Sequence, residues 1–479
     1  MTIRPLLFLV CGAFLYAADA GVVDRYQPVA NKLIDAAMKD EVGLARLQFL
    51  CDQIGNRLSG TPGLDKAIAW SAAAMKKAGL QNVQTLPVKV PHWVRGKESI
   101  LMLAPVARPL PMLGLGGSVA TPEGGIEAGV IAVSTFGELT ALGEDKVKGK
   151  IVLFDAPYEG YGATVMYRSS GASRAAKLGA VGSLVRSVTG HSLRTPHTGA
   201  MNYEVGVAKI PSAAITVEDS LAIARLIKAG VPVRLRMQME AHTDPPADSA
   251  NVIGEITGSE KPEEVVVLGG HIDSWDVGQG AQDDGSGVMA SLAAVALIKQ
   301  LGLQPKRTIR VAFWTNEENG TAGGNAYRDW LGDKVTNHVA AIEMDGGAEK
   351  PLGFGAGGGG ERRRAPAPGS APSARGEARG VVLSDAAMAR VAEIGKLLAS
   401  IDAGTITKGG GGADIGPIMA AGVPGLGLRT VGTHYFDWHH TEADTFDKIN
   451  PQEFKQCVAA LAVMSFVLAD MPERLTDLK

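Results

Sequence analysis

From about residue 250 onward the sequence alternates between short β-branched runs and stretches with one apolar helical face, and this restricts the fold more than any other feature. Val265-Val266-Val267-Leu268 is a strand-like run. Val288, Leu292, Val295 and Ile298 then share one helix face, and 308–314 returns to strand character. Residues 338–344 read as another strand and 384–400 as another helix. Strands separated by helices of this length form a mostly parallel central sheet with helices on both faces, an α/β fold. The last helix is marked in detail. Asn450 caps it, Pro451 takes the first position and Glu453 completes a capping box. Ile449 and Phe454 stand where a hydrophobic staple would place them, and the pattern runs to about Leu468.

Upstream, residues from about 26 to 80 read as helices, with Gly55 and Gly79 as stops. Between about 96 and 248 the texture changes. Short strands near 130–133, 151–154 and 213–217 are separated by many turn residues, with helices near 173–178 and 221–227. Pro245-Pro246 closes the segment like a hinge. The reading is a smaller domain at 96–248 inserted into a discontinuous catalytic domain, 21–95 and 249–479. Residues 355–380 hold a glycine run, Arg362-Arg363-Arg364 and then Pro, Ala, Ser and Gly, the composition of a disordered, solvated loop.

The length of 479 residues fits two or three domains. A net charge of −3 leaves no basic surplus to hold a phosphate backbone, which excludes nucleic acid as an expected partner. At the N-terminus Arg4, the apolar run 6–16 and Ala18-Asp19-Ala20 have the arrangement of an export signal over 1–20. The run is too short to span a bilayer, and no later stretch is read as a membrane span, so the expectation is a secreted or periplasmic protein. Cys11 leaves with the signal. Cys51 and Cys457, each in an apolar helical pattern, read as buried free thiols.

The chemistry-bearing residues sit where the predicted strands end. His271-Ile272-Asp273 follows the Val265 run, and in an open α/β sheet ligands bind outside the carboxyl ends of the strands. Asp283-Asp284-Gly285 opens the next helix, Glu317-Glu318 follows the strand closing at Trp314, and Asp345 ends another strand. His439-His440-Thr441-Glu442-Ala443-Asp444-Thr445 brings two imidazoles to a polar loop. Taken singly these are a structural histidine, a helix cap and a solvated acidic turn. Together at successive strand ends of one sheet they read as a metal centre. Neutral imidazole offers one nitrogen to a cation, and a carboxylate can bridge two.

The order H-x-D, Asp-Asp-Gly, Glu-Glu, Asp, H-x-x-x-D-T resembles the co-catalytic zinc aminopeptidase family. Residues 269–287, Leu50-Cys51-Asp52 with Arg57-Leu58-Ser59-Gly60, and 410–417 are similar to its plasma glutamate carboxypeptidase (carboxypeptidase Q) branch in particular. The resemblance implies a zinc aminopeptidase or phosphorylase/hydrolase-like fold, with the insertion forming a protease-associated-like domain. It implies two Zn2+ ions, with His271, Asp283 and Glu318 in a first group of ligands, Asp345 and His440 completing two sites, and Asp283 bridging. Glu317 matches the general base and Asp273 the residue that orients His271. Some relatives place an oxyanion-stabilising tyrosine before the last histidine ligand; here His439 stands there, which leaves that role open. A cis Asp283–Asp284 peptide and a homodimer are also implied.

The reaction expected is hydrolysis of short peptides, foremost dipeptides with a free N-terminus, by a metal-activated water. A carboxypeptidase would use the same metal chemistry and differ only in its specificity pocket. A glutaminyl cyclase would need only one zinc. A receptor or scaffold of this fold would have lost ligands or base, and none is missing here.

Overall fold

The computed structural model describes residues 21–358 and 380–479. The export signal read at 1–20 and the stretch 359–379 of the loop read at 355–380 lie outside the described residues. Residues 355 and 356 belong to a strand, Pro351–Ala356, so the glycine run begins as sheet.

The larger sheet has eight strands, in the order Gln81–Val94, His242–Ile256, Arg307–Trp314, Lys261–His271, His338–Glu343, Gly425–Thr430, Pro351–Ala356 and Thr405–Lys408. It is mixed, with four parallel and three antiparallel pairings, so the expected parallel centre is present with antiparallel flanks. The four central strands run parallel, whereas the two on one side and Pro351–Ala356 on the other pair antiparallel to their inner neighbours. The parallel centre is where the β-branched runs lie, buried on both faces. Val266, Leu268 and Ile342 pack with the helices Val22–Lys39, Ser286–Gln300 and Pro451–Asp470. Their alternates Val265, Val267 and Ala341 face Ala322–Leu331 and Gly416–Ala420.

Pro451–Asp470 starts as read: the Asn450 side chain accepts from the amides of Gln452 and Glu453 at 2.9 and 3.3 Å. Contrary to the reading, this helix has the length and apolarity of a membrane span, but 83% of that window is buried in the protein. It is a core helix. Cys51 and Cys457 are buried free thiols.

A second eight-stranded sheet is built from residues 98–239, with the helices Phe136–Val147, Tyr161–Ala176 and Val217–Lys228. Its apolar clusters are largely separate from those of the larger sheet. The chain enters and leaves it through the long antiparallel pair Gln81–Val94 and His242–Ile256, which belongs to the larger sheet. Pro245 and Pro246 therefore lie inside a strand and form no hinge. Leu58, Trp93 and Trp275 from outside the 98–239 segment join its core, and Trp275, 2% exposed, lies so close to Gly116 that a Cβ there would fall 2.1 Å from the indole.

Candidate metal centre

The site forms where the parallel strands end. After His271 the chain turns through 272–280, a loop shaped around the guanidinium of Arg57. That side chain is fully buried and donates to the carbonyls of Ile272, Gln279, Gly280 and Gly55 at 2.7–2.9 Å. The backbone before His271 is glycine for a steric reason: a Cβ on Gly270 would lie 1.9 Å from the Asp284 carboxylate. In that space Asp284 Oδ2 accepts the His271 amide at 3.1 Å and Oδ1 accepts the Gly287 amide at 3.1 Å. Asp284 is thus a structural cap that joins the strand to the next helix, and its burial first, then neighbouring acids, raises its pKa well above the usual range. The Asp283–Asp284 peptide is cis.

Asp283 stands at the centre. His271 Nε2 lies 3.3 Å from its Oδ1, and His440 Nε2 lies 3.2 Å from its Oδ2. On one side Asp345 Oδ1 is 3.5 Å from His271 Nε2, and on the other Glu318 Oε2 is 3.0 Å from His440 Nε2. The structure regroups the sequence assignment: Glu318 sits with His440, and Asp345 with His271. His439 is a third imidazole here, its Nε2 3.4 Å from Asp283 Oδ2 and its ring stacked on His440 at 3.5 Å. It therefore borders the central Asp283 carboxylate.

The residues around these ligands fix them. His271 Nδ1 lies 3.0 Å from the main-chain carbonyl of Asp273, whose carboxylate is 3.7 Å from that nitrogen. The carboxylate instead accepts the amides of Glu317 and Glu318 at 3.0 and 3.2 Å. Asp273 thus contacts His271 mainly through its backbone carbonyl and holds the Glu317-Glu318 turn through its side chain. Asp444 does the same for the bridge: its carboxylate accepts the amides of Gln282 and Asp283 at 2.7 and 3.2 Å. Burial pushes Asp444 up to about 7.

The electrostatics call for positive charge. Burial and the nearby Asp283 push Glu318 up to about 8, and burial raises Asp345 to about 6 against the pull of His271. Asp283 stays well below the usual carboxylate range because His439, His271 and His440 outweigh its burial. Burial alone would lower the histidines. Asp283 and Asp345 nevertheless hold His271 well above its ordinary value, and Glu318 with Asp283 carries His440 up to about 10. Excess negative charge is thus compensated by protons, which a bound dication would displace.

His271 Nε2, Asp283 Oδ2 and Glu318 Oε1 are buried with no hydrogen-bond partner. A set of imidazole nitrogens and carboxylate oxygens whose atoms face one another fits zinc. The structure brings the five sequence-predicted candidates together, with Glu317, 7% exposed, next to Glu318 on the same turn. Sequence reasoning missed Arg57 as a loop former and the role of Asp444. It also missed a second buried acidic pair, Glu343 and Asp414. Glu343 lies two residues before Asp345, and burial followed by Asp345 pushes it up to about 8.

Residues 251–465 match the sequence model of peptidase family M28. The chain is 42% identical to carboxypeptidase Q of Xenopus laevis over 456 residues, which cover 95% of this chain and 92% of that protein. It is 41% identical to the Homo sapiens carboxypeptidase Q over 450 residues, covering 93% and 90%. Among solved structures, the peptidase M28 precursor from Shewanella amazonensis SB2B superposes with a TM-score of 0.86 at 34% identity, over 95% of this chain and 99% of that one. BSAP, a zinc aminopeptidase from Bacillus subtilis, shares the fold at 19% identity, with a TM-score of 0.63 and coverage of 91% and 97%.

Proposed function

The chain belongs to peptidase family M28, and from that premise we propose that it is an exported two-zinc exopeptidase that hydrolyses short peptides, foremost dipeptides with a free α-amine. The observation that carries this reading is the placement of Asp283 between two imidazoles, 3.3 and 3.2 Å away, each with its own further carboxylate. His271, Asp345 and Asp283 would hold one ion, and His440, Glu318 and Asp283 the other. Two zinc ions there would bring a water to ionisation near neutral pH and draw charge from the scissile carbonyl.

The chain's own residues supply the rest. Glu317, held at its amide by Asp273, takes the water's proton on its carboxylate and returns it to the leaving amine. A cationic α-amine is attracted to the acidic wall of Glu317, Glu318 and Asp345. An N-acyl cap would bury an unpaired amide there, at about 1–3 kcal/mol. The inserted domain, read as protease-associated-like, covers the cleft and excludes long chains. Export agrees with the basic and apolar start of the sequence and with a relative described as a precursor.

The opposite polarity has one observation in its favour, the carboxypeptidase Q name carried by the relatives above. A dipeptide, its N-acetylated form and its C-amidated form separate the two. Chelator-sensitive turnover lost on acetylation and kept on amidation supports the aminopeptidase reading. Turnover kept on acetylation and lost on amidation makes the enzyme a carboxypeptidase, and no turnover of any form refutes both.

A further inference from the structure

His440 is held from behind by the inserted domain. The residue has a left-handed backbone, φ 63°, and its Nδ1 lies 3.2 Å from the carbonyl oxygen of Thr198. Thr198 in turn donates its amide to the His440 carbonyl at 3.0 Å, so the two residues clasp each other across the domain junction. The Thr198 carbonyl has a second donor, Arg168 Nη1, at 3.2 Å. Arg168 is 2% exposed and donates Nη2 to Tyr161 Oη at 2.7 Å. Its guanidinium lies over Gly199, φ 138°, where a Cβ would fall 2.3 Å from Cζ.

The clasp is braced against the catalytic loop. Thr198 Oγ1 donates to the Gly114 carbonyl at 2.7 Å. Arg95 reaches the same carbonyl at 2.5 Å while holding both oxygens of Asp276 at 2.8 and 2.5 Å.

A neutral imidazole carries one N–H. If Nδ1–H donates to the Thr198 carbonyl, the Nε2 lone pair is left for a cation between Glu318 and Asp283. A carbonyl oxygen has two lone pairs, so Arg168 and His440 can share it, and the Arg168 bond keeps it aimed at Nδ1. Arg168 Nη1 is 3.4 Å from Nδ1 but 3.2 Å from the Thr198 carbonyl, its nearer acceptor. We infer that Thr198 and Arg168 of the inserted domain belong to the metal-binding scaffold: they select the His440 tautomer that ligates, and Arg168 is a positioning residue for the Glu318–His440 half of the centre. The inference rests on the two-zinc reading above.

The test measures zinc per chain and the two zinc affinities by chelator competition, without substrate, in the full mature protein. The variants are Arg168→Met, Arg168→Lys and Gly199→Ala, the last displacing the guanidinium without removing it. Outer partners of ligating histidines typically govern metal affinity by about 10–100-fold. Arg168→Met and Gly199→Ala should weaken one zinc by about that factor and leave the other as in wild type, with Arg168→Lys recovering much of the loss. The melting temperature of each metal-free variant identifies any that fail to fold, and the remaining variants then decide. Two wild-type affinities in a folded Arg168→Met or Gly199→Ala protein, or equal weakening of both ions, overturns the inference. A wild-type chain holding fewer than two zinc ions would refute the reading of the site itself, and the inference with it.

Discussion

Adjacent residues on one turn can serve different chemistry, and Glu317 and Glu318 are the sharpest case. Glu318 Oε2 sits 3.0 Å from His440 Nε2, among the ligand atoms, whereas both amides of the turn are held by Asp273. Glu317→Gln should therefore keep the wild-type zinc content while kcat falls by several orders of magnitude, since an amide of nearly the same size accepts no proton. Glu318→Gln should lose zinc. Metal analysis beside turnover checks this, and an empty Glu317→Gln protein would mean that the two roles are exchanged. At this scale the ligand candidates were legible because His, Asp and Glu at strand ends announce themselves by type and position. Arg57 and Arg168 were not. Arg57 bonds four main-chain carbonyls, three of them more than two hundred residues away, and Arg168 bonds the Thr198 carbonyl within the inserted segment; main-chain acceptors leave no mark in a sequence. The regrouping of Glu318 with His440 was equally hidden, because spacing along the chain does not say which strand-end loops meet.

Among the elements, the strand His338–Glu343 begins at the end of the sheet away from the metal centre with a histidine buried against Tyr327, whose hydroxyl is 2.9 Å from His338 Nε2. Burial, aided by the Arg310 cation, lowers this imidazole from 6.5 to about 3. The folded chain thus keeps it neutral where the unfolded chain protonates it. This contribution to stability is complete above about pH 6.5 and is lost as pH falls from there toward 3, by up to about 1.4 kcal/mol per pH unit. Urea unfolding of the metal-free protein at pH 7 and pH 4.5 should show a smaller acid loss for His338→Gln than for wild type. His197, lowered to about 3 in the same way, remains to give part of the slope. An equal loss in both proteins would show that His338 titrates normally.

The elements themselves were read with uneven success for physical reasons. The continuous apolar runs of the parallel centre are unmistakable, because both faces are buried. The antiparallel flank His242–Ile256 was not, because its first half is exposed, polar and contains two prolines. The helix Tyr161–Ala176 was found only at its end, since its first turns carry Gly, Ser and Thr in place of an apolar stripe.

For the whole molecule, the insertion decides what the active site is. Trp275 fills the inserted domain's core, Arg95 ties that domain to Asp276, and Thr198 grips His440. The change of texture between 96 and 248 marked the segment that builds the second sheet, but the junction contacts left no mark, since each joins residues remote in sequence. In the proposed centre Asp283 bridges two zinc ions, one beside His271 and Asp345, the other beside His440 and Glu318. Anomalous diffraction at the zinc edge from crystals of the zinc-loaded protein tests it directly. The predicted result is two peaks about 3.5–4 Å apart on either side of the Asp283 carboxylate; a single peak, or two peaks that do not share Asp283, would contradict it.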